Sequence, residues 1–434
     1  MSTEHHRACA YLDRPLCGRS HAGLTQAPEP GLGAPSPKVP NEPCCTLDTL
    51  ERRWQVVKAR PESRAALTDP QTLGQMKAYQ HNIENFIGSV KLPVGLAGPL
   101  RVNGRFARGD YYLPLATTEA ALVASYNRGA QLISEAGGCT AMLVHDGLGR
   151  APGFAFADLH EVGFFLAWAS SQMPEFMRAA EATTRHGQLT EMRITVEGNH
   201  VYMHFEFTTG DACGQNMVTI ATEAICAYIE AHAPVRPQYS FLETNLSGDK
   251  KASARSFILG RGKQVTAEAV LPADLVVARL HTTPEQMTNY WRMAAIGGVL
   301  SGSVGVQGHY ANGLAALYLA CGQDVACVAE SAVGVTRFEV TARGDLYAAV
   351  TLPNLMVGTV GGGTGLSSQQ ACLDILGLAG PGNAPALAEV GAGLCLAGEL
   401  SIAGALCAGE FACAHQRLAR GKPRSAPAEV IAHG

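Results

Sequence analysis

Apolar residues early in the chain recur at helical spacing. Leu50, Trp54 and Val57 fall on one face of a helix, and we predict that this helix spans residues 46–60. Pro61 should end it, because proline lacks the N–H group that a helix interior needs. A helical piece therefore precedes the rest of the fold.

The middle of the chain changes to the alternation that is typical of strands. Residues 192–196 and 200–207 alternate between apolar and polar around Gly198-Asn199, which predicts a β-hairpin. Helical patterns lie on both sides of this hairpin. Residues 151–241 therefore indicate a small α+β domain that is inserted into a larger one.

Helical patterns rich in Ala and Gly dominate the flanking regions. We predict helices over residues 120–132, over most of 284–321 and over 385–420. The last of these is the most apolar, but Glu389 and Glu399 interrupt it, so it indicates a packed helix and not a membrane span. The 48 glycines predict close helix contacts, and the very small side chains of residues 284–321 should permit close packing there.

Composition narrows the class of protein. The chain has 434 residues, of which 47% are hydrophobic and 16% are charged, and this is typical of a globular protein with two or three domains. Its net charge of −4 and its lack of a long basic run give no support to a nucleic-acid partner. The first 42 residues are rich in Pro, Gly, Ser and Ala and predict a disordered tail.

Cysteine usage and the start of the sequence suggest a location. The 13 cysteines include no Cys-x-x-Cys pair, so we expect reduced thiols and no metal site of that kind. No basic start followed by an apolar run is present, which argues against a signal peptide. We therefore expect a cytoplasmic protein with no membrane partner.

The segment Asn245–Lys251 brings an acid and two lysines together in a loop of small residues. Asp249, Lys250 and Lys251 could stabilise one another's charges and hold one ammonium ready for a substrate oxygen. Taken alone, an Asp-Lys-Lys sequence is more often a solvated turn. Its interpretation as a site depends on residues elsewhere in the chain.

Several other signals have an ordinary structural interpretation when each is taken alone. Glu119 before a helix is usually a dipole partner, Asp324 after a helix is usually a cap, and His415 near a helix end is usually a surface residue. Residues 260–263, Gly-Arg-Gly-Lys, lack the spacing of a phosphate loop, and residues 358–365 lack the Gly-x-Gly-x-x-Gly pattern of a Rossmann fold.

Together, these signals resemble one family closely, hydroxymethylglutaryl-coenzyme A reductase. The matching segments occur in the family's order and extend over about residues 80–420. They are Glu84–Leu100, Ala116–Gly129, Gly210–Met217, Asp249–Lys251, Ala320–Asp324, Gly358–Gly365 and Glu399–His415. The resemblance implies the reduction of a thioester to an alcohol by two hydrides, which gives mevalonate and free coenzyme A.

The resemblance implies four catalytic residues. Lys250 would stabilise the oxyanion that hydride attack creates, and Asp324 would hold this lysine and tune its charge. Glu119 would be the proton donor of the same network. His415 would protonate the departing coenzyme A thiolate, a role that suits an imidazole.

The same matching implies the contacts to substrate and cofactor. The hydroxymethylglutaryl group would be held by Arg150, Asp249, Lys251 and Asn312, and coenzyme A by Ser125, Asn127 and Arg128. The dinucleotide would be held by Asp211, Gly214, Gln215, Asn216, Gly361, Gly362 and Gly363. Thr184-Arg185 looks like the position at which one branch of the family carries Ser-Arg to bind a 2′-phosphate, so we predict NADPH as the cofactor.

The fold that the resemblance implies is α+β, with a helical N-terminal piece, a large α/β domain around a long central helix, and a small inserted ferredoxin-like cofactor-binding domain. The predicted domains are a disordered tail (1–42), the helical piece (43–88), the first part of the large domain (89–150), the inserted NADP-binding domain (151–241), an active-site loop (242–253), the second part of the large domain (254–421) and a flexible C-terminus (422–434). Active sites form between subunits in the family, so we expect a homodimer or homotetramer.

Two alternatives stay open at this point. One is an NADH-dependent enzyme that oxidises mevalonate, which steady-state rates with each cofactor would distinguish. The other is a non-catalytic scaffold, which predicts missing acid or lysine positions, although Glu119, Lys250, Asp324 and His415 are all present. The segment Glu243–Leu246 departs from the family's usual Ser-Gly-Asn pattern, so the local substrate contacts also stay open.

Overall fold

The computed structural model describes residues 37–42 and 44–412 of the chain. His415, the predicted C-terminus 422–434 and most of the predicted tail lie outside the described residues. The chain divides into two compact units, Met1–Val90 and Lys91–Gly434. The finer domain boundaries that we drew from the sequence stay predictions.

The described part of the first unit is helical. Its helices are α1 (Leu47–Val56), α2 (Pro61–Leu67), α3 (Pro70–Gly74) and α4 (Met76–Tyr79). The predicted helix 46–60 is too long, because α1 ends at Val56 and the chain is extended at Val57. Pro61 is the first residue of the next helix, a position at which its missing N–H group is not needed. The buried apolar residues of this unit are Cys45, Leu50, Trp54, Met76 and Phe86.

The second unit mixes helices and strands, which confirms the predicted α+β class. Its helices are α5 (Leu122–Glu135), α6 (Leu159–Ala169), α7 (Met173–Glu181), α8 (Gln215–His232), α9 (Ser256–Leu259), α10 (Ala273–Leu280), α11 (Pro284–Ser301), α12 (Tyr310–Ala320), α13 (Val328–Ser331), α14 (Ser367–Leu376) and α15 (Ala384–Cys407). Its strands are β1 (Val94–Asn103), β2 (Arg108–Ala116), β3 (Thr140–Arg150), β4 (Gly153–Ala155), β5 (Gln188–Glu197), β6 (His200–Thr208), β7 (Tyr239–Phe241), β8 (Gly262–Leu271), β9 (Gly305–Val306), β10 (Gly334–Val340) and β11 (Leu346–Leu355).

One long sheet connects most of these strands. Its order is β7-β4-β6-β3-β8-β11-β10-β9, and β5 pairs with the other edge of β6. Strand β3 joins the two halves, since Thr140–Gly147 pair with β8 whereas Leu148–Arg150 pair with β6. The end of β3 therefore places Arg150 at the junction between the two halves of the sheet.

The segment from β4 to β7 has the topology of a ferredoxin-like fold. The elements follow one another as β4, α6 and α7, β5, β6, α8 and β7. The strands lie in the order β7-β4-β6-β5, and each neighbouring pair is antiparallel. The predicted hairpin at Gly198-Asn199 is confirmed as the connection between β5 and β6.

The long helix α15 forms the centre of the second unit. Nearly all of its residues are buried, and it packs on α5, β8 and β11. Among the described residues, only α15 has the length and composition to cross a bilayer, and its burial identifies it as a core helix. The predicted end at residue 420 is too late, since α15 ends at Cys407 and Gly409 adopts a positive φ of 68°.

Two buried glutamates of α15 bind backbone N–H groups of distant loops. Glu389 accepts hydrogen bonds from the N–H groups of Arg105, Phe106 and Ala107 in the β1–β2 turn. Glu399 accepts from the N–H groups before α12, the nearest being that of Gly308 at 2.7 Å. A buried carboxylate is costly unless it is bonded in this way, so both residues connect the central helix to the loops around it.

Candidate active site

Lys250 and Asp324 form an ion pair on the surface of the second unit. Nζ of Lys250 lies 2.8 Å from Oδ2 of Asp324, and each side chain is 40% exposed. The hydrogen bond with Asp324 raises the pKa of Lys250. Burial has the largest single effect on Asp324 and raises its pKa, but the hydrogen bonds from Lys250, Ala326 and Gln215 and the charge of Lys250 together outweigh it, so the pKa of the carboxyl lies below its usual value. The pair is therefore charged near neutral pH and open to a substrate oxygen.

A buried group of charges lies next to this pair. Nη1 of Arg150 is 3.0 Å from Oδ2 of Asp249, and Nη2 of Arg261 is 2.8 Å from Oδ1 of the same carboxylate. Nη1 of Arg261 binds both carboxylate oxygens of the fully buried Glu330, at 2.6 and 2.7 Å. Arg150 and Asp249 are among the site residues predicted from the sequence, whereas Arg261 and Glu330 are not.

Glu243 closes the loop that leads to Asp249. Its carboxylate accepts hydrogen bonds from the N–H group of Asn245 at 2.7 Å and from Oγ of Ser247 at 2.9 Å. It also lies 3.2 Å from Nη1 of Arg150. The unusual segment Glu243–Leu246 therefore places a carboxylate that supports the loop and shares Arg150 with Asp249.

Two of the predicted cofactor segments lie side by side. Ala212 forms a parallel bridge with Val360, and the carbonyl of Asp211 accepts a 2.8 Å hydrogen bond from the N–H group of Thr359. Gly214 has a φ of 80° and precedes the first residue of α8. A Cβ atom on Gly361 or Gly362 would meet nothing within 4 Å, so these glycines leave open space beside the start of that helix. A helix N-terminus next to open backbone suits a phosphate group.

Gln215 connects this region to the Lys250–Asp324 pair. It is the first residue of α8, and its side-chain Nε2 donates to Sγ of Cys327 at 2.9 Å and to Oδ2 of Asp324 at 3.5 Å. Asn216 beside it is exposed. The predicted cofactor segment and the Lys250–Asp324 pair are thus neighbours in one chain.

Asp211 has a structural task besides its predicted contact with the dinucleotide. Its carboxylate accepts hydrogen bonds from the N–H groups of Gly382 and Ala384, at 2.7 and 3.1 Å. Ala384 is the first residue of α15, where a carboxylate stabilises the helix dipole. The side chain of Asp211 therefore holds the start of the core helix beside the glycine loop.

The predicted 2′-phosphate contact lies on an exposed turn near the start of α8. Oγ1 of Thr184 accepts a 3.1 Å hydrogen bond from the N–H group of His186, which shapes the turn. A Cβ atom on Gly187 would lie 3.0 Å from the side chain of Met217 in the first turn of α8. The exposed side chain of Arg185 is therefore carried close to the predicted dinucleotide site.

The predicted coenzyme A residues share the helix α5. Oγ of Ser125 lies 2.9 Å from Oγ of Ser401 in α15, and Nη2 of Arg128 donates to the carbonyl of Ser401 at 2.6 Å. Oδ1 of Asn127 accepts a 3.0 Å hydrogen bond from the N–H group of Gly98. These polar groups surround the contact between α5 and α15, and Ser401 is a member that the sequence analysis missed.

Three predicted site residues stand apart from these clusters. Glu119 is exposed before α5, and within the described chain no hydrogen bond or ion pair joins it to Lys250 or Asp324. Asn312 is exposed in the first turn of α12. Lys251 is exposed, and its Nζ donates to the carbonyl of Asp249 at 2.8 Å. One described chain alone does not bring the predicted acid and lysine together.

Comparison with known proteins gives a consistent result. The family profile described as hydroxymethylglutaryl-coenzyme A reductase matches residues 49–420. A 3-hydroxy-3-methylglutaryl-coenzyme A reductase from Pyrococcus horikoshii is 46% identical over 347 residues, which cover 78% of this chain and 84% of that protein. A protein of the same name from Aeropyrum pernix is 46% identical over 350 residues, which cover 79% of this chain and 83% of that protein.

A solved structure is similar in fold. It is the class II 3-hydroxy-3-methylglutaryl-CoA reductase from Streptococcus pneumoniae, bound to NADPH in open conformations. The match has a TM-score of 0.62 at 20% identity and covers 80% of this chain and 98% of that chain. The chain belongs to the hydroxymethylglutaryl-coenzyme A reductase family of oxidoreductases.

Proposed function

We propose that this chain reduces 3-hydroxy-3-methylglutaryl-coenzyme A to mevalonate and coenzyme A with two molecules of NADPH. The observation that supports this most directly is the Lys250–Asp324 ion pair, 2.8 Å long and accessible, next to the first residue of α8. A reduced nicotinamide would supply the hydride, and the residues of the chain would bind, orient and protonate the substrate.

Lys250 is the oxyanion partner in this proposal. A hydride that reaches the thioester carbonyl leaves negative charge on its oxygen, and a fixed ammonium stabilises this charge more than it stabilises the neutral carbonyl. The raised pKa of Lys250 keeps the ammonium protonated, and Asp324 fixes its direction. The exposed fraction of both side chains leaves room for the substrate.

The remaining catalytic roles rest on the resemblance. Glu119 would give the proton to the carbonyl oxygen, and His415 would protonate the coenzyme A thiolate as it departs. Coenzyme A would lie along α5 near Ser125, Asn127 and Arg128. The hydroxymethylglutaryl group would be held by Arg150, Asp249, Lys251 and Asn312. Lys251 and Asn312 are exposed and free to reach it, whereas Arg150 is buried and orients Asp249.

NADPH suits the residues around the start of α8. A Cβ atom on Gly361 or Gly362 would meet nothing, which leaves space beside Gly214 and Gln215 where two phosphates could approach the helix N-terminus, whereas Gly363 packs against the backbone of Gly322. Arg185 lies on an exposed turn next to this helix, and a guanidinium matches the oxygens of a 2′-phosphate. We therefore infer that Thr184 and Arg185 select NADPH over NADH.

A shared active site completes the proposal. Glu119 makes no described contact with the Lys250–Asp324 pair of its own chain, so a second copy would supply the acid. Helix α11 exposes Met293, Ile296, Val299 and Leu300, the kind of apolar surface that partner subunits cover. We infer a homodimer or homotetramer. Free described cysteines and the buried α15 are compatible with a cytoplasmic protein.

The test is substrate-dependent oxidation of NADPH, followed at the nicotinamide absorbance. Lys250→Ala should lower kcat by about a hundred-fold or more, as expected when an oxyanion partner is lost. Arg185→Ala should raise KM for NADPH by about ten-fold or more and leave NADH unaffected. Arg343→Ala, on the exposed β10–β11 turn, is the matched control and should behave as the unmodified chain.

A folded Lys250→Ala variant that keeps full activity would contradict the catalytic part of the proposal. An Arg185→Ala variant that keeps its preference for NADPH would contradict only the cofactor part.

A further inference from the structure

Lys250 has a backbone conformation that must be held from outside. Its φ is 56°, in the left-handed region that residues with a side chain rarely adopt. The residue lies in a loop between β7 and α9, and no helix or strand hydrogen bond holds it in place. The direction in which its ammonium points therefore depends on the contacts that fix this backbone.

Glu330 provides one of these contacts. The N–H group of Lys250 donates to Oε1 of Glu330 at 3.2 Å. Glu330 lies in α13 and is completely buried, so its carboxylate does not exchange this contact for water. The residues are 80 positions apart, and the contact ties the loop to the core of the unit.

Arg261 provides the second contact and also holds Glu330. Its Nη1 binds both oxygens of Glu330, and its Nη2 lies 2.8 Å from Oδ1 of Asp249, an ion contact that is not aligned as a hydrogen bond. The side chain is only 2% exposed. One buried ion pair therefore contacts the backbone of Lys250 and the side chain of the residue before it.

We propose that Arg261 and Glu330 are positioning residues for the reaction, which fix the loop so that Lys250 faces Asp324 and Asp249 faces the substrate. This inference rests on the proposed function of Lys250. Neither residue needs to touch the substrate. A lysine could not replace Arg261, because a single ammonium cannot bridge Glu330 and Asp249 as the planar fork does.

A purely structural role is the competing explanation. Buried ion pairs often contribute little net stability, and well-packed apolar residues can replace them without loss of fold. If the ion pair served only the core, substituting it would lower the melting temperature but would not change the conformation of the Lys250 loop. A positioning pair changes the loop and kcat even in variants that stay folded.

The experiment compares Glu330→Gln and Arg261→Lys with the unmodified chain. The first readout is the rate of tryptic cleavage after Lys250 and Lys251, followed by mass spectrometry, which does not depend on any activity. We expect this rate to rise about ten-fold in both variants, since loops that lose their anchors open more often. The second is steady-state kinetics, in which kcat should fall by about ten-fold to a hundred-fold while KM for NADPH stays constant.

The matched control is Glu389→Gln, which alters another buried carboxylate that binds backbone N–H groups away from this loop. It should lower the melting temperature without changing kcat or cleavage at Lys250. If a single variant does not fold, the pair Arg261→Met with Glu330→Leu removes both charges together and leaves neither unpaired in the core. This double variant should also show faster tryptic cleavage after Lys250 and Lys251 and a lower kcat.

Unchanged cleavage and unchanged kcat in folded variants would overturn the inference. An equal loss of kcat in Glu389→Gln at matched stability would also overturn it, because the effect would then be general. If the unmodified chain showed no reductase activity while the variants were still cleaved faster at Lys250, the anchoring role would be supported and the proposed function refuted. The two failures are therefore distinguishable.

Discussion

The two carboxylate oxygens of Asp324 have different tasks. Oδ1 accepts a 3.0 Å hydrogen bond from the N–H group of Ala326, which caps the short 3-10 turn Val325–Cys327. Oδ2 accepts from Lys250. A carboxylate that is fixed on one side by the backbone holds the ammonium on its other side in a defined direction. The ordinary interpretation as a cap is confirmed for this residue, and its catalytic role stays a prediction.

Removing the charge of Asp324 should shift the alkaline limb of the pH profile. The hydrogen bond with Asp324 raises the pKa of Lys250. In Asp324→Asn this contribution is lost, so the pKa falls, the ammonium loses its proton at lower pH, and the alkaline limb of kcat moves to lower pH. We also expect kcat at neutral pH to fall by about ten-fold or more, because a charge-assisted hydrogen bond is lost.

The matched control is Asp110→Asn, which removes another exposed carboxylate whose pKa is lowered by a cation, here Arg101 at 2.7 Å. It should leave the profile unchanged, and its effect on stability should be small because the pair is exposed. An alkaline limb that stays in place in Asp324→Asn would show that Lys250 does not govern that limb.

Among individual residues, the sequence predicted those site residues that are close to one another in the chain or belong to a recognisable motif. Asp249, Lys250 and Asp324 were found in this way. Arg261 and Glu330 were not, because their importance arises from contacts over 69 and 80 positions that no local pattern reveals. The local signal at Arg261 is its place between two glycines, and this pattern does not indicate a buried ion pair.

Helices α5 and α15 approach each other as closely as their backbones allow. A Cβ atom on Gly129 of α5 would collide with the carbonyl oxygen of Ala397 in α15. This approach lets the polar residues of α5, such as Arg128, reach Ser401. The predicted close packing of small residues is present here, although the sequence could not say which two helices would meet.

A single methyl group at Gly129 should disturb this contact. Gly129→Ala should lower the free energy of unfolding by about 1–3 kcal/mol or more, since overpacking forces the backbones apart. Gly163→Ala is the matched control, because Gly163 also lies in a helix, α6, but has open space around its Cβ position. It should stabilise the chain by about 0.5–1 kcal/mol.

Urea denaturation followed by tryptophan fluorescence would measure both variants. If Gly129→Ala were as stable as Gly163→Ala, the helices would not be in the close contact described here.

Element boundaries were predicted less well than the elements themselves. The hairpin and the helices α5, α11, α12 and α15 were all expected. The ends were wrong where a cap or a proline decided them, as at Pro61, which begins a helix, and at Gly409, which follows the end of α15. Strand β3 belongs to both halves of the sheet. This could not be predicted, because the sequence of one strand does not determine which distant strands pair with it.

The positions of the predicted catalytic residues in the molecule bear on how many chains form one active site. The Lys250–Asp324 pair and the predicted cofactor segments lie together in one chain, whereas Glu119 precedes α5 and has no described contact with the pair. The exposed apolar residues of α11 form the surface that we propose a partner subunit covers. A shared site would account for both features, and the family resemblance predicted one.

Mixed oligomers would test this arrangement directly. Glu119→Gln and Lys250→Ala should each be inactive alone, because each lacks one member of every site. When both are co-expressed with different tags, a mixed dimer with shared sites contains one doubly altered site and one intact site. Since half of the dimers form as mixed pairs, the preparation should recover about a quarter of the normal activity.

Purification through both tags should isolate the mixed dimers and raise the recovered activity to about half of normal.

The control is a mixture of Lys250→Ala with Asp324→Asn, whose two residues already meet within one chain. Each site takes both its lysine and its aspartate from one copy. In a mixed dimer, one site therefore lacks Lys250 and the other lacks Asp324, so both sites are defective and mixing restores no activity. If Glu119 and Lys250 served the same site within one chain, each chain of a mixed dimer would still carry one defect. The Glu119 and Lys250 mixture would then stay as inactive as its parents.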